Sequence, residues 1–409
     1  MDKTRLQKYA HLIAKCGVNV QKGQDVLITA ELDQPEFVAM LVEECYKLGA
    51  AKVYVDWSYQ PLVKYDVEYC EKERLGSLLD WQMKKWEYQR DTLPCKIYLM
   101  SEDPDGLAGV DQKKYSEALA ARSRLIKPIR NAMENKYQWC IAAVPGKEWA
   151  RKVFPEAAGD EEAVERLWSA ILDTSRVNDD PIEAWRMHTE HLKKKYDYLN
   201  SLGITELHFK AGNGTDLRVG LIDGGIFLGG GEETLGGGVY YNPNIPSEEI
   251  FTSPMRGKAE GIVYSSKPLS YEGQLIDNFF MKFEGGKAVE VGAEKNEELL
   301  RELIAMDEGA AYLGECALVP YSSPIRESGL LFYNTLFDEN AACHLALGRG
   351  FTNLIRDYEK HDEKWAHEMG INDSIVHEDF MIGTKDMSIT ATAKDGRTIA
   401  IFENGEWAF

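Results

Sequence analysis

The chain has 409 residues, 44% of them hydrophobic and 11% aromatic, which fits a globular protein and is too long for one ordinary core. A formal net charge of −20 argues against nucleic acid and against an anionic membrane as partners. The seven cysteines are scattered without CxxC spacing, so no disulfide framework or zinc–thiolate site is indicated, and a reduced, cytoplasmic setting is expected.

In chain order, residues 1–20 repeat Leu6, Tyr9, Ile13 and Cys16 at helical spacing. They lack the apolar run and cleavage site of a signal peptide, and no later run is long enough to span a bilayer. "DVLITA" (25–30), "AKVYVDW" (51–57), "CKIYLM" (95–100) and "WCIAAVP" (139–145) are predicted strands, with amphipathic helices between them such as "PEFVAMLVEECYKLGA". That alternation predicts an open parallel sheet covered by helices, an N-terminal α/β domain over 1–200. A long helix, "PIEAWRMHTEHLKKKYDYLNSLG", capped by Asp179 or Asp180, bridges to a different texture.

From about 204 onward, short strands are separated by glycine turns: "ELHFKAG", "TDLRVGL", "GIVYSS", "FMKFEGG" and "KAVEVG". Helices are predicted at "NEELLRELIAM" and "NAACHLALGRG". Residues 201–409 are therefore expected to form a strand-rich α+β domain. "SIVHEDFMIG" (374–383) reads as a strand, and alternation puts His377 and Asp379 on one face.

Among the eight histidines, His188, His191, His361 and His367 lie on charged helices, and no HExxH or HxxEH is completed. His344, in "FDENAACHLALG", is surrounded by small and apolar residues; Asp338 or Asn340 is the expected cap of its helix. Glu315 stands in the apolar "AYLGECALVP", and Glu248 and Glu249 stand between Pro246 and Pro254. Lysine and arginine are sparse around these segments. A bound cation would neutralise several acids together, and oxygen and imidazole donors suit zinc, manganese or cobalt. Glu249, Glu315, His344, His377 and Asp379 are too many for one tetrahedral ion, so two ions sharing a carboxylate fit better.

At these segments the sequence resembles the thermophilic-aminopeptidase family of metallopeptidases, M29. The resemblance runs through "KYAHLIAKCGVNVQKGQ", "DPIEAWRMHTEHLKKKYDYLN", "GNGTDLRVGL", "NIPSEEIFTSP", "GIVYSSKPL", "LGECALVP", "GLLFYNTLFDENAACHLALG" and "HEDFMIG". It implies an exopeptidase that removes N-terminal residues from peptides with a water activated by two divalent metals (zinc, cobalt, manganese or magnesium). It also implies a homodimer and a catalytic C-terminal domain. Position by position it puts metal on Glu249, Glu315, His344, His377 and Asp379, with Glu315 bridging. Glu248 is left as a candidate for proton transfer or for holding the substrate amine.

Two positions depart from the family pattern. Phe351 stands where a tyrosine often follows the ligand histidine by seven residues, so a phenol for the reacting carbonyl is missing unless Tyr333 replaces it. Glu378 stands where an apolar residue is usual; it is expected to point away from His377, to a sheet edge or a cation. A two-metal phosphoesterase or a peptide-binding relative without turnover are the rival readings. A nucleotide-binding or serine-hydrolase reading fails, because the chain has no GxxxxGK[ST], no GxSxG, and no GxGxxG after the first strand.

Overall fold

The computed structural model describes residues 2–409. The chain forms two compact units, one of residues up to His188 with Gly231–Ser247, the other of Thr189–Gly230 with Glu248–Phe409. The division falls inside the helix Pro181–Ser201, whose first turn is capped by Asp180 Oδ1 accepting from the Glu183 amide at 3.1 Å.

In the first unit, β1 (Asp25–Glu31), β2 (Lys52–Ser58), β3 (Cys95–Met100) and β4 (Trp139–Ala143) form a parallel sheet in the order β2-β1-β3-β4. The apolar runs of β1 and β3 are almost wholly buried, as a sheet covered by helices requires. The helix Pro35–Lys47 starts on proline and ends before Gly49, which takes φ 103°. The helix Lys3–Leu12 buries Tyr9 and Leu12, and its first turn is capped by Asp2.

The second unit is built on two sheets. A nine-stranded sheet contains the expected strands at Ile204–Lys210, Asp216–Leu221, Pro254–Tyr264, Gln274–Glu284 and Lys287–Lys295. A five-stranded antiparallel sheet comprises β5 (Leu228–Gly229), β6 (Ile250–Thr252), β7 (Leu313–Leu318), β8 (His344–Gly348) and β9 (His377–Met381), in the order β9-β8-β7-β6-β5. The helix at Glu297–Ile304 forms as expected.

The helix predicted at "NAACHLALGRG" does not. His344–Gly348 is a strand, preceded by the short helix Thr335–Asp338 and a turn at Glu339–Ala341. "HLALG" is buried along its whole length because β8 lies inside the sheet, between β7 and β9. A strand buried on both faces loses the alternation that distinguishes it from a helix. Asp338 also does not cap a helix that holds His344; its carboxylate accepts from the Phe332 and Asn334 amides.

Candidate metal centre

Two rules of sheet geometry gather the candidate residues. Antiparallel partners share a face, and so do alternate residues along one strand. Glu315 and Asp379 both pair with Ala346; Phe251 and His344 both pair with Ala317; His377 pairs with Gly348. Phe251, Glu315, Ala317, His344, Ala346, His377 and Asp379 therefore line one face, and Glu249 continues the alternation just before β6. The other face carries Ile250, Cys316, Leu318, Leu345, Leu347 and Phe380 into the hydrophobic core. Burying that face, together with the paired backbone, holds the polar face in a fixed geometry.

Small residues keep the middle of the polar face open. Ala346 lies between Glu315 and Asp379, and Ala317 next to His344, so the strand positions facing these groups carry only a methyl. The register slips between Leu313 and Glu315, which lets Leu313 face Leu347 and the core while Glu315 turns to the polar side. Gly314 occupies the slip: a Cβ there would lie 2.2 Å from the Arg349 carbonyl oxygen and 2.4 Å from that of Gly348.

Donor atoms of Glu249, Glu315 and His344 lie within 4.8 Å of one another, and so do those of Glu315, His377 and Asp379. Glu315 belongs to both groups. His344 Nε2 is 3.0 Å from Glu249 Oε2; His377 Nε2 is 3.2 Å from Glu315 Oε2 and 3.5 Å from Asp379 Oδ2. These separations resemble the edge of about 3.4 Å between two donors on one tetrahedral ion with bonds of about 2.0–2.1 Å. The other ring nitrogens are committed to main chain: Nδ1–H of His344 donates to the Ala342 carbonyl at 3.1 Å and that of His377 to the Arg349 carbonyl at 2.8 Å. Each lone-pair nitrogen is thereby turned toward the acids, as a metal-binding histidine requires.

The electrostatics demand a cation. Glu249, Glu315 and Asp379 are buried, and among the described residues their only ion-pair partners are the two histidines. Asp379 Oδ1 is buried without a hydrogen-bond partner. At an effective dielectric of 20, two carboxylate charges 4.8 Å apart repel by about 3.5 kcal/mol. Burial, reinforced by Asp379 and Glu249, pushes the Glu315 carboxyl up to about 7. Burial opposes a charged His344, but the hydrogen bond and charge of Glu249, with Asp379 and Glu315, raise it to about 9. His377 is likewise raised well above an ordinary imidazole by Asp379 and Glu315, against burial. Burial also works against the Asp379 charge, yet His377 holds its carboxyl below the usual value. These groups hold protons more tightly than usual where a divalent ion would relieve the same repulsion, so the donor set fits the metals expected from the sequence.

The sequence reading missed Glu339. It is buried at the turn before β8, and its carboxyl is raised well above the ordinary value by burial and then by Asp379, Glu249 and Glu315. It is thus a fourth acid of the same cluster. Reading "DEN" only for a cap passed over it, although three consecutive polar residues before a buried apolar run have no reason all to be caps. Its neighbour Asn340, fully buried, accepts from the Glu248 amide at 2.6 Å and donates to Leu336 O at 2.9 Å and Glu339 Oε1 at 3.3 Å. Asn340 thus ties the turn to the segment that delivers Glu249. Glu248 itself is buried but belongs to neither three-residue group.

Glu378 pairs with Leu347 on the core side of β9, the edge strand; burial, then Asp379, raises its carboxyl well above the ordinary value. The Phe351 ring packs on the His377 ring, with centroids 5.0 Å apart. His188 is used elsewhere, with Nε2 2.7 Å from the Ser247 carbonyl oxygen, and His361 stacks on Trp365. A further half-buried group, Glu363, His367 and Asp373, lies around the helix Glu363–Met369.

Known proteins share this arrangement of chain. Residues 2–407 match the thermophilic metalloprotease family M29. The aminopeptidase AmpS of Bacillus subtilis is 40% identical over 99% of this chain and 98% of its own, and the aminopeptidase T of Thermus thermophilus is 39% identical over the same shares. The solved structure of wild-type AmpT from Thermus thermophilus superposes with a TM-score of 0.89 at 39% identity, covering both chains completely. With a match over nearly its whole length, the chain belongs to the M29 thermophilic metalloproteases and is a metal-dependent peptide hydrolase.

Proposed function

We propose that the protein is an aminopeptidase that removes N-terminal residues from peptides, using two divalent ions held by Glu249, Glu315 and His344 on one side and by Glu315, His377 and Asp379 on the other. One observation carries this: Glu315 belongs to both donor groups, in a buried cluster that, among the described residues, no lysine or arginine pairs with. With neutral imidazoles, Glu249, Glu315, Glu339 and Asp379 offer up to four negative charges, which two divalent ions would balance. Zinc, cobalt, manganese and magnesium are the candidate ions. Such a pair, when bound, polarises the scissile carbonyl and makes a water nucleophilic near neutral pH.

The protein's own groups do the rest. The main-chain hydrogen bonds at Nδ1 fix both imidazoles in one tautomer and orientation, so no reorganisation is needed as substrate arrives. A carboxylate must also accept the α-ammonium of the substrate and carry a proton to the leaving amine. Glu248 is the candidate the family resemblance leaves for that role, and Glu339, whose carboxyl feels the acids of the cluster, is its rival. Glu248→Gln lowers kcat at unchanged metal content if the assignment is right; Glu339→Gln does so if the rival is.

The test of the whole reading is metal analysis and hydrolysis of an aminoacyl-arylamide by the wild-type enzyme and Glu315→Gln, with a nitrophenyl phosphate as control substrate. Two ions per chain and chelator-sensitive arylamide hydrolysis are expected in the wild type, with both lost in the variant. Full metal content in Glu315→Gln, or cleavage of the phosphate alone, would overturn it. The reading includes a homodimer working in the cytoplasm, which sedimentation and cell fractionation test separately.

A further inference from the structure

Two phenyl rings lie beside the acid cluster. Phe251 shares the sheet face of Glu249 and Glu315, next to Ala317. Phe351 follows β8 by three residues, and its amide donates to Ser253 Oγ at 2.9 Å, which fixes where its ring sits. The rings meet edge to face, with centroids 5.7 Å apart and planes at 72°, and Phe351 also covers the His377 ring at 5.0 Å. The three side chains form a continuous aromatic strip from β6 to β9.

Burial separates this strip from its surroundings. Glu249, Glu315, His344 and Asp379 are buried, whereas Phe251, Phe351 and His377 are all half-buried. Apolar ring surface is therefore partly exposed directly beside the buried acids. An aromatic pair on the rim of so polar a centre is costly to leave wet, and an apolar group laid on it recovers that cost. A substrate whose first carbonyl and α-amine sit at the acids must place its first side chain within a few ångströms of them, which is where the rings are.

We infer that Phe251 and Phe351 form the wall that receives the side chain of the substrate's N-terminal residue, and that the enzyme selects large apolar residues such as leucine and phenylalanine. This rests on the aminopeptidase reading. An acidic first side chain gains nothing from the phenyl surface, and alanine leaves most of it uncovered. A shelf open on one side recovers only part of what a closed pocket gains per methylene, so leucine should exceed alanine by about 10- to 100-fold in kcat/KM.

The experiment compares kcat/KM for leucyl-, phenylalanyl-, alanyl-, lysyl- and glutamyl-arylamides with the metal-loaded wild-type enzyme, Phe251→Ala and Phe251→Leu, with metal content measured in each. Leucyl and phenylalanyl substrates should lead in the wild type. The leucine-to-alanine ratio should collapse by about 10-fold in Phe251→Ala and recover in Phe251→Leu, with metal content constant. A ratio unchanged in Phe251→Ala, or a wild-type enzyme that prefers the lysyl or glutamyl substrate, overturns the inference while leaving the aminopeptidase reading intact. Failure of the wild-type enzyme to cleave any of the five overturns both.

Discussion

Filling the centre with metal should expel at least one proton per chain at pH 7.5. In the metal-free protein His344 titrates at about 9 and is charged at that pH, while His377, against burial, is raised well above its ordinary value by Asp379 and Glu315. A ligand nitrogen must be free, so any Nε2 proton on either ring has to leave as the ions enter. Glu315, at about 7, adds roughly 0.2 of a proton. Neutralising His344 at pH 7.5 costs about 2 kcal/mol, from the 1.5 units between that pH and its value. With at least the His344 proton linked, apparent affinity should rise about 10-fold or more per pH unit until His344 begins to titrate. Calorimetric titration of chelator-treated protein in buffers of different protonation enthalpy reads the number directly. Stability gives the sign a second time. The folded-state value of His344 lies above its ordinary 6.5, so its contribution to the metal-free fold is full below pH 6.5 and lost as pH rises through about 9. Glu315 behaves alike, its contribution full below about 4.5 and lost as pH rises through about 7. The metal-free protein should melt progressively lower from pH 6 to 9.5, the loaded protein should not, and His344→Gln should shrink the metal-free slope. Release near zero at pH 7.5, or a metal-free Tm that climbs with pH, would refute the reasoning.

Ala346→Leu fills the space between Glu315 and Asp379; metal content should fall by at least half and kcat more than 100-fold, with a stability loss of about 1–3 kcal/mol seen in urea unfolding. Gly314→Ala sets a Cβ against two main-chain oxygens of the turn after β8, so a loss of about 2–4 kcal/mol and a lower Tm are expected even in the metal-free protein. Asn340→Ala removes the acceptor of the Glu248 amide and should cost about 1–3 kcal/mol, with weaker metal retention on dialysis. Phe351→Tyr supplies the phenol that the family resemblance leads one to expect, from a ring already lying on His377; kcat should rise about 10-fold or more at constant metal content, as a gained oxyanion donor would give.

The residues of the centre differ in how plainly the sequence declares them, and the difference follows from where each strand lies. His377 and Asp379 were legible because strand alternation puts an imidazole and a carboxylate on one face of β9. Glu249 and Glu315 were legible as acids in apolar company, a placement that calls for a neutralising partner. His344 was legible as a buried imidazole but not as a strand residue, because β8 is apolar on both sides and carries no period. The alanines gave no signal alone: Ala317 and Ala346 matter only through the residues opposite them, and pairing is a property of the folded sheet. The slip at Gly314 was equally silent, since it decides which face Glu315 takes by an offset between two distant segments. Glu339 shows the same limit in another form. Its neighbours in sequence offer a cap as sufficient reason for its polarity, and only the burial of the turn beside Asp379, Glu249 and Glu315 reveals that its charge is contested. Chemistry concentrated on a buried sheet face is thus readable in sequence where ionisable residues share a strand face or stand in apolar company, and hidden where both faces are covered or where the decisive contact is between strands far apart in the chain.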